Sequence, residues 1–475
     1  MAGRALKTFS RMKSPKILAL LLAFFALASI ATSQQSLTPA QRSAVARMAR
    51  QGQGRQNATL GGQIVSPTGS SLWVRRTLVP GVFQLRINNT GTAWTESFLL
   101  GIPTQRVPNT PLLVLFHSYD VSEWDCLQNT TLFTDAMARG WYVCAPLGAH
   151  QVNFGIPYSQ VNIQVALDFV TNLLPIAEDR IYGVGFSMGG GTLGSYAARH
   201  HDPAHARFAS IVNHTGGISI ANTFYNSADV SVFLNPLMFG DTPAALPFEY
   251  SQVSLIDLDF TTLAVDPNTD MARNLAHVQV LNQHADFDPL TYLIDQTVSV
   301  HNWMLAIPGM ASFLLTPNQS EHAWWTIDEN VALDFLRTKR LLTPTTGTHR
   351  ILADREATWF HFYLYQDTPG AFTPLRWTFE AGPNRLTIDE TENLAHIVIN
   401  SSTLGLNTAV NLEVVFGTQD GSGEIATISG YAQIPQEVLR DGVPMATDWS
   451  YDPVAQAVTL TENAPAGSPV WKIRP

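Results

Sequence analysis

The chain has 475 residues, 45% hydrophobic and 14% charged, with a net charge of −10. That length leaves room for two or three domains with real cores, and the ordinary apolar content excludes disorder as the main state. Two cysteines exclude a disulfide-rich scaffold and a cysteine-ligated zinc domain, and the acidic balance argues against a nucleic-acid partner.

At the N-terminus Arg4, Lys7, Arg11, Lys13 and Lys16 precede an apolar run over 17–31, which ends in Ala31-Thr32-Ser33. A basic segment, an apolar core and a small-x-small site predict a signal peptide over 1–33, cleaved after Ser33. The alternative is an uncleaved anchor, although a comfortable span takes about 20 apolar residues. The mature protein is therefore expected to be secreted or periplasmic, with no integral membrane span after cleavage. Residues 34–60, rich in Gln, Ala and Arg, read as a flexible leader.

Alternation over 71–79, 81–87 and 97–102 predicts short strands. Continuous apolar runs follow at 111–117, 140–145, 180–186, 208–213, 277–282 and 311–316, as expected of parallel strands buried on both faces. Helical patterns such as 164–174 and 329–337 lie between them. The expected class is α/β, a doubly wound sheet over 61–343. Residues 214–276 are too long for an ordinary crossover, and read either as a lid or as a helix pair that packs structurally. After a Thr/Pro/Gly spacer, runs at 358–365, 376–380, 396–400, 409–416, 424–431 and 457–460 predict an all-β, sandwich-like domain over 344–475. Cys126 and Cys144 are open to two readings, a bridge in an oxidising compartment or buried free thiols.

The sharpest motif is Gly185-Phe186-Ser187-Met188-Gly189, set between a strand-like and a helix-like stretch. That context makes a nucleophile elbow, where the glycines remove side chains that a tight turn cannot hold. A serine nucleophile needs a base, and the base needs an orienting acid. Both follow in order, each after a later strand. Asp286 and Asp288 lie in Gln283-His284-Ala285-Asp286-Phe287-Asp288-Pro289, and His322 precedes Thr326-Ile327-Asp328-Glu329, which reads as a capping box. His200-His201-Asp202 reads as a helix end whose basic side chains favour the dipole. No metal-ligand spacing is present, and no cofactor is required.

On these residues the chain resembles the α/β-hydrolase superfamily over roughly 95–340. It looks most like exported esterases of the polyhydroxybutyrate-depolymerase-like and feruloyl-esterase-like group. The resemblance implies an α/β-hydrolase sheet with a lid-like insertion. It also implies an acid in a Q-H-G-x-x-D-P segment, which selects Asp288 over Asp286, with Ala285 in place of the glycine. The resemblance further implies an oxyanion donor in a His-Gly-x turn, here His117-Ser118-Tyr119. The Tyr119 N–H is carried over on that basis, beside the Met188 N–H at the elbow. A serine at 118 is less suited than glycine to positive φ.

Tyr119, Trp124, Phe186, Phe287, Trp324 and Trp325 crowd the expected rim. Phe186 and Phe287 read better as core packing. Trp324 and Trp325 cannot easily both face the core, so one is expected to line the cleft. Trp324, Trp325 and Trp124 are thus the candidate substrate-binding residues. Three functions stay open. The first is a secreted serine esterase acting on a small or polymeric ester. The second is a prolyl-oligopeptidase-type peptidase, suggested by Pro247-Phe248-Glu249-Tyr250-Ser251. The third is a non-catalytic surface protein that grips a polymer through its sandwich.

Overall fold

The computed structural model describes residues 62–65, 71–88, 90–235, 240–417, 424–463 and 467–475. The expected signal segment, the leader, and Met238 and Phe239 of the insertion lie outside the described residues. No helix among the described residues is long and apolar enough to cross a membrane.

The principal sheet has ten strands: β1 (Gly62–Val65), β2 (Ser71–Arg76), β3 (Val82–Ile87), β4 (Glu96–Gly101), β5 (Leu112–Phe116), β6 (Tyr142–Pro146), β7 (Ile181–Phe186), β8 (Ser210–His214), β9 (Gln279–Gln283) and β10 (Ala311–Leu315). Their order is β1-β2-β3-β4-β6-β5-β7-β8-β9-β10. The first four are antiparallel neighbours, β4 meets β6 antiparallel, and β5 to β10 run parallel. Strands β4 to β8 are buried along their whole lengths, so both faces are covered, and their sequences are continuous apolar runs for that reason. This is a mixed α/β chain whose principal sheet is antiparallel at its first strands and parallel from β5 to β10.

Helices α1 (Leu132–Ala138), α2 (Pro157–Leu173) and α3 (Met188–Arg199) connect the early parallel strands. The segment after β8 folds into α4 (Ile220–Asn226), α5 (Ala228–Phe233) and α6 (Pro247–Val253). Ser219 and Ser227 cap α4 and α5 by accepting the N–H groups of Asn222 and Val230. Ile220, Val230, Leu234, Tyr250 and Val253 from this insertion pack with Phe154, Ile156 and Met188 in one buried cluster. The insertion therefore walls the N-terminal end of α3. Helices α7 (Thr291–Ala306) and α8 (Glu329–Arg337) complete this half. The cap of α8 is Asp328, which accepts the Val331 N–H, and not the Thr326 of the expected capping box. Thr326 instead closes a short 3-10 turn, and the Glu329 carboxylate is drawn away to Thr130 and Thr131.

Residues from Gly347 onward form a seven-stranded and a six-stranded sheet. Thr373–Glu380, Leu412–Phe416 and Glu424–Ser429 alternate buried and half-buried residues, the period of a strand with one face in the core. Trp359, Trp377, Trp471, Phe362 and Phe416 fill that core. The run read as one strand over 358–365 is two, Ala357–Trp359 and Phe362–Gln366, because Phe360 takes φ +57° in the turn between them. That turn presents the Phe360 ring to His201, 4.4 Å away and nearly parallel.

The seam between the halves gathers at the C-terminal end of α3. Arg199 and Asp354 form a buried ion pair, and the Arg355 guanidinium donates to Arg199 O. Asn274 accepts the Leu352 N–H and donates to Leu352 O and Ala198 O. This overturns the reading of His200 and His201 as cationic partners of the helix dipole. His201 is buried and His200 half-buried, and desolvation, reinforced by neighbouring cations and imidazoles, pushes both well below the usual histidine range. Cys126 and Cys144 are free and buried, and desolvation pushes both thiols well above the ordinary range, so they are unreactive.

Candidate active site

Strand β7 ends at Phe186, and α3 begins at Met188. The residue between them, Ser187, has φ +55° and ψ −121°, a backbone conformation that a residue with a side chain adopts only when its surroundings hold it. Here they do. The Ser187 N–H donates to His214 O at 3.0 Å, and Ser187 O accepts from the N–H groups of Gly190 and Gly217 at 3.0 and 3.1 Å. A Cβ on Gly185 would fall inside the backbone of Gly189, and one on Gly189 inside that of Phe116. The two motif glycines are required by this close approach.

Two other loops bring their side chains to the Ser187 hydroxyl. His322, after β10, places Nε2 2.8 Å from Ser187 Oγ and Nδ1 2.7 Å from Asp288 Oδ2. A carboxylate only accepts, so Nδ1 carries the proton and Nε2 is the acceptor for the serine hydroxyl. Asp288, after β9, is buried, and its Oδ1 accepts the Leu290 N–H at 2.8 Å. Asp286 is exposed and takes no part in this relay. Ser187, His322 and Asp288 are thus joined in one chain of hydrogen bonds.

Phe186 lies 4.6 Å from His322 and 4.7 Å from His214, centroid to centroid. His214 is fully buried and neutral, its pKa pushed down to about 3 by desolvation and by His322 nearby. Its Nε2 meets Thr326 Oγ1 at 2.9 Å and so ties the end of β8 to the loop that carries His322.

The turn after β5 differs from the expected one. Ser118 is not in the left-handed region, and Asp120 is, at φ +57°. Flanking amides are engaged: Ser118 N–H donates to Asp125 Oδ2 at 3.1 Å and Asp120 N–H to Gln151 O at 3.1 Å. Tyr119 between them packs its ring on Phe154 and Phe233.

Of the three candidate substrate residues, Trp324 does not face a cleft. It is buried, its Nε1–H donates to Asp125 Oδ2 at 2.8 Å, and its ring lies 5.2 Å from Phe186. Its neighbour Trp325 is 54% exposed. Trp124 is partly buried against the core and borders a cavity of about 830 Å³ that Trp73, Gln84, Arg86 and Glu123 also line. Phe287 is 65% exposed rather than packed in the core, because Asp288 and not its neighbour turns inward.

Asp125 and His214, which bond the loop that carries His322, and the buried Glu96 on β4 escaped the sequence reading. Of these, only Glu96 left a signal, a carboxylate opening an apolar strand. It is fully buried and accepts the N–H groups of Leu147, Gly148 and Ala149 at 2.9–3.0 Å. Desolvation outweighs those bonds and pushes its pKa from 4.5 up to about 7. Between those two pH values the folded chain holds a proton that the unfolded chain has lost. Stability from this group is therefore greatest below pH 4.5 and falls as pH rises toward 7, by up to about 3 kcal/mol. Urea midpoints at pH 5 and pH 8 should differ more for the wild type than for Glu96→Gln. Equal differences would refute this account of Glu96.

No family model matches the sequence, and no curated protein matches it. Among solved structures the chain is similar to an acylaminoacyl peptidase of Pyrococcus horikoshii, at 14% identity and TM-score 0.40, over 60% of this chain and 51% of that one. It is similar to a ferulic acid esterase at 15% identity and TM-score 0.38, over 56% and 97% of the two chains. It is also similar to an S-formylglutathione hydrolase from Agrobacterium tumefaciens at 13% and 0.38, over 58% and 98%. The match spans about half the length of the peptidase. At this identity and overlap none of the three carries a functional argument.

Proposed function

We propose that the protein is an exported serine hydrolase that cleaves carboxylic esters through Ser187, His322 and Asp288. The observation that carries this reading is the relay itself, with both hydrogen bonds under 3 Å and the serine on a strained strand-to-helix turn. In the proposed reaction His322 Nε2 takes the Ser187 proton as Oγ attacks the ester carbonyl carbon. Asp288 keeps the proton on Nδ1 and stabilises the imidazolium that forms. The N–H groups of Met188 and Tyr119 receive the oxyanion, each worth on the order of 3 kcal/mol in the transition state. His322 then gives its proton to the leaving alkoxide, and water repeats the sequence on the acyl-enzyme. Exposed Trp325 and Phe287 stand in the loops that carry His322 and Asp288, which favours an apolar or aromatic ester, small or polymeric. Export by residues 1–33 belongs to the same proposal, and the N-terminal residue of protein recovered outside the cell tests it, with Gln34 expected.

The deciding assay takes residues 34–475 through p-nitrophenyl esters of graded acyl length, beside peptide amides and serine-directed fluorophosphonate labelling. Ester turnover with the label on Ser187 is the expected result. Cleavage of peptides without esters transfers the chemistry to a peptidase, and no turnover of either kind leaves the sandwich and a binding role.

A further inference from the structure

We propose that Asp125 is a positioning residue whose single carboxylate sets both the oxyanion turn and the loop of the general base. This rests on reading Ser187, His322 and Asp288 as the catalytic set. Asp125 opens a one-turn helix, Asp125–Gln128, and is 5% exposed. Its Oδ2 accepts three hydrogen bonds, from Ser118 N–H at 3.1 Å, from Ser118 Oγ at 3.0 Å and from Trp324 Nε1 at 2.8 Å. Its Oδ1 accepts from Asn129 Nδ2 at 2.7 Å.

The two loops so joined hold the two halves of the chemistry. Ser118 immediately precedes Tyr119, whose N–H is the proposed oxyanion donor of that turn. Trp324 follows His322 by two residues, and its ring packs 5.2 Å from Phe186, which in turn lies 4.6 Å from His322. One buried acceptor thus fixes the distance between the oxyanion donor and the base. The donor set explains the residue type: four donors converge on one side chain, and an ionised carboxylate is the acceptor-only group that takes them all. It also gives Ser118 a purpose, since the hydroxyl supplies a bond that glycine at that position would lack.

The test compares Asp125→Ala, Asp125→Asn, Ser118→Ala, Trp324→Phe and the double variant Asp125→Ala/Trp324→Phe on a p-nitrophenyl ester. A trifluoromethyl ketone that mimics the tetrahedral adduct is the second probe. Displacing one oxyanion donor costs up to about 10²–10³ in kcat. Asp125→Ala should therefore lose roughly 100-fold in kcat with KM within about twofold, and the ketone should weaken in parallel. Asp125→Asn should lose about tenfold, and each single-donor variant less. Adding Trp324→Phe to Asp125→Ala should cost nothing further, because the two changes remove the same contact.

Wild-type kcat and ketone affinity in Asp125→Asn and Trp324→Phe would overturn the inference, as would a kcat loss with unchanged ketone affinity. Those two near-isosteric variants decide the matter if Asp125→Ala does not fold. An inactive wild type, or turnover that survives Ser187→Ala, would instead overturn the parent reading of the site.

Discussion

Ser187→Ala and His322→Ala should each lower kcat on a p-nitrophenyl ester by about 10⁶-fold, and the double variant by little more. The non-additivity follows from the geometry. His322 Nε2 has one partner to activate, the hydroxyl 2.8 Å away, so either loss disables the same step. Asp288→Asn should cost about 10⁴-fold with the fold intact. An asparagine amide facing Nδ1 would donate to it, drive the imidazole proton onto Nε2, and leave nothing to accept the serine proton. Circular dichroism and thermal melts establish that the variants are folded, and a burst assay reads the acylation step. Hydrolysis persisting in Ser187→Ala would remove the mechanism.

The largest effect on stability is expected far from that chemistry. Asp354→Ala leaves the Arg199 guanidinium buried without its partner, which costs about 3–5 kcal/mol. Burial already pushes the Arg199 pKa down to about 10, although the Asp354 carboxylate opposes the shift, and Arg199 Nη1 donates to Gln252 O at 2.7 Å. The guanidinium thus has no route to water. A chain ending at residue 343 should be insoluble, since it would expose His201, Asn274 and the end of α3 together. The folded fraction of Asp354→Ala should keep near-normal kcat, because α3 separates the pair from Ser187 by about 18 Å. An unchanged urea midpoint would refute the role given to this pair.

Much of the relay was legible in the sequence because each member follows an apolar strand run, made conspicuous by burial on both faces at β7 and present also at β10, an edge strand that is only partly covered. The choice between Asp286 and Asp288 was not in the periodicity, and needed a resemblance to select it. Which of Trp324 and Trp325 turns inward was hidden for a different reason. The answer is the Asp125 carboxylate, which hydrogen-bonds Trp324 from a distant loop. The burial of His201 depends likewise on a side chain brought from the other half of the molecule, Phe360. The turn at Phe360 was invisible because a phenylalanine with positive φ carries no local signature. Strands Gly347–Ala353 and Arg385–Asp389 were missed as well. The first is exposed over much of its length, and the second is short and half charged.

The last strand, Val470–Arg474, lies in the interior of its sheet, between Leu412–Phe416 and Glu437–Arg440. A ribosome delivers that strand after every other strand of both sheets. Until it arrives, the seven-stranded sheet has a gap in its middle, and the seam that buries Arg199 has no finished partner. The seven-stranded sheet and the seam it supports are therefore completed only when Val470–Arg474 closes that gap.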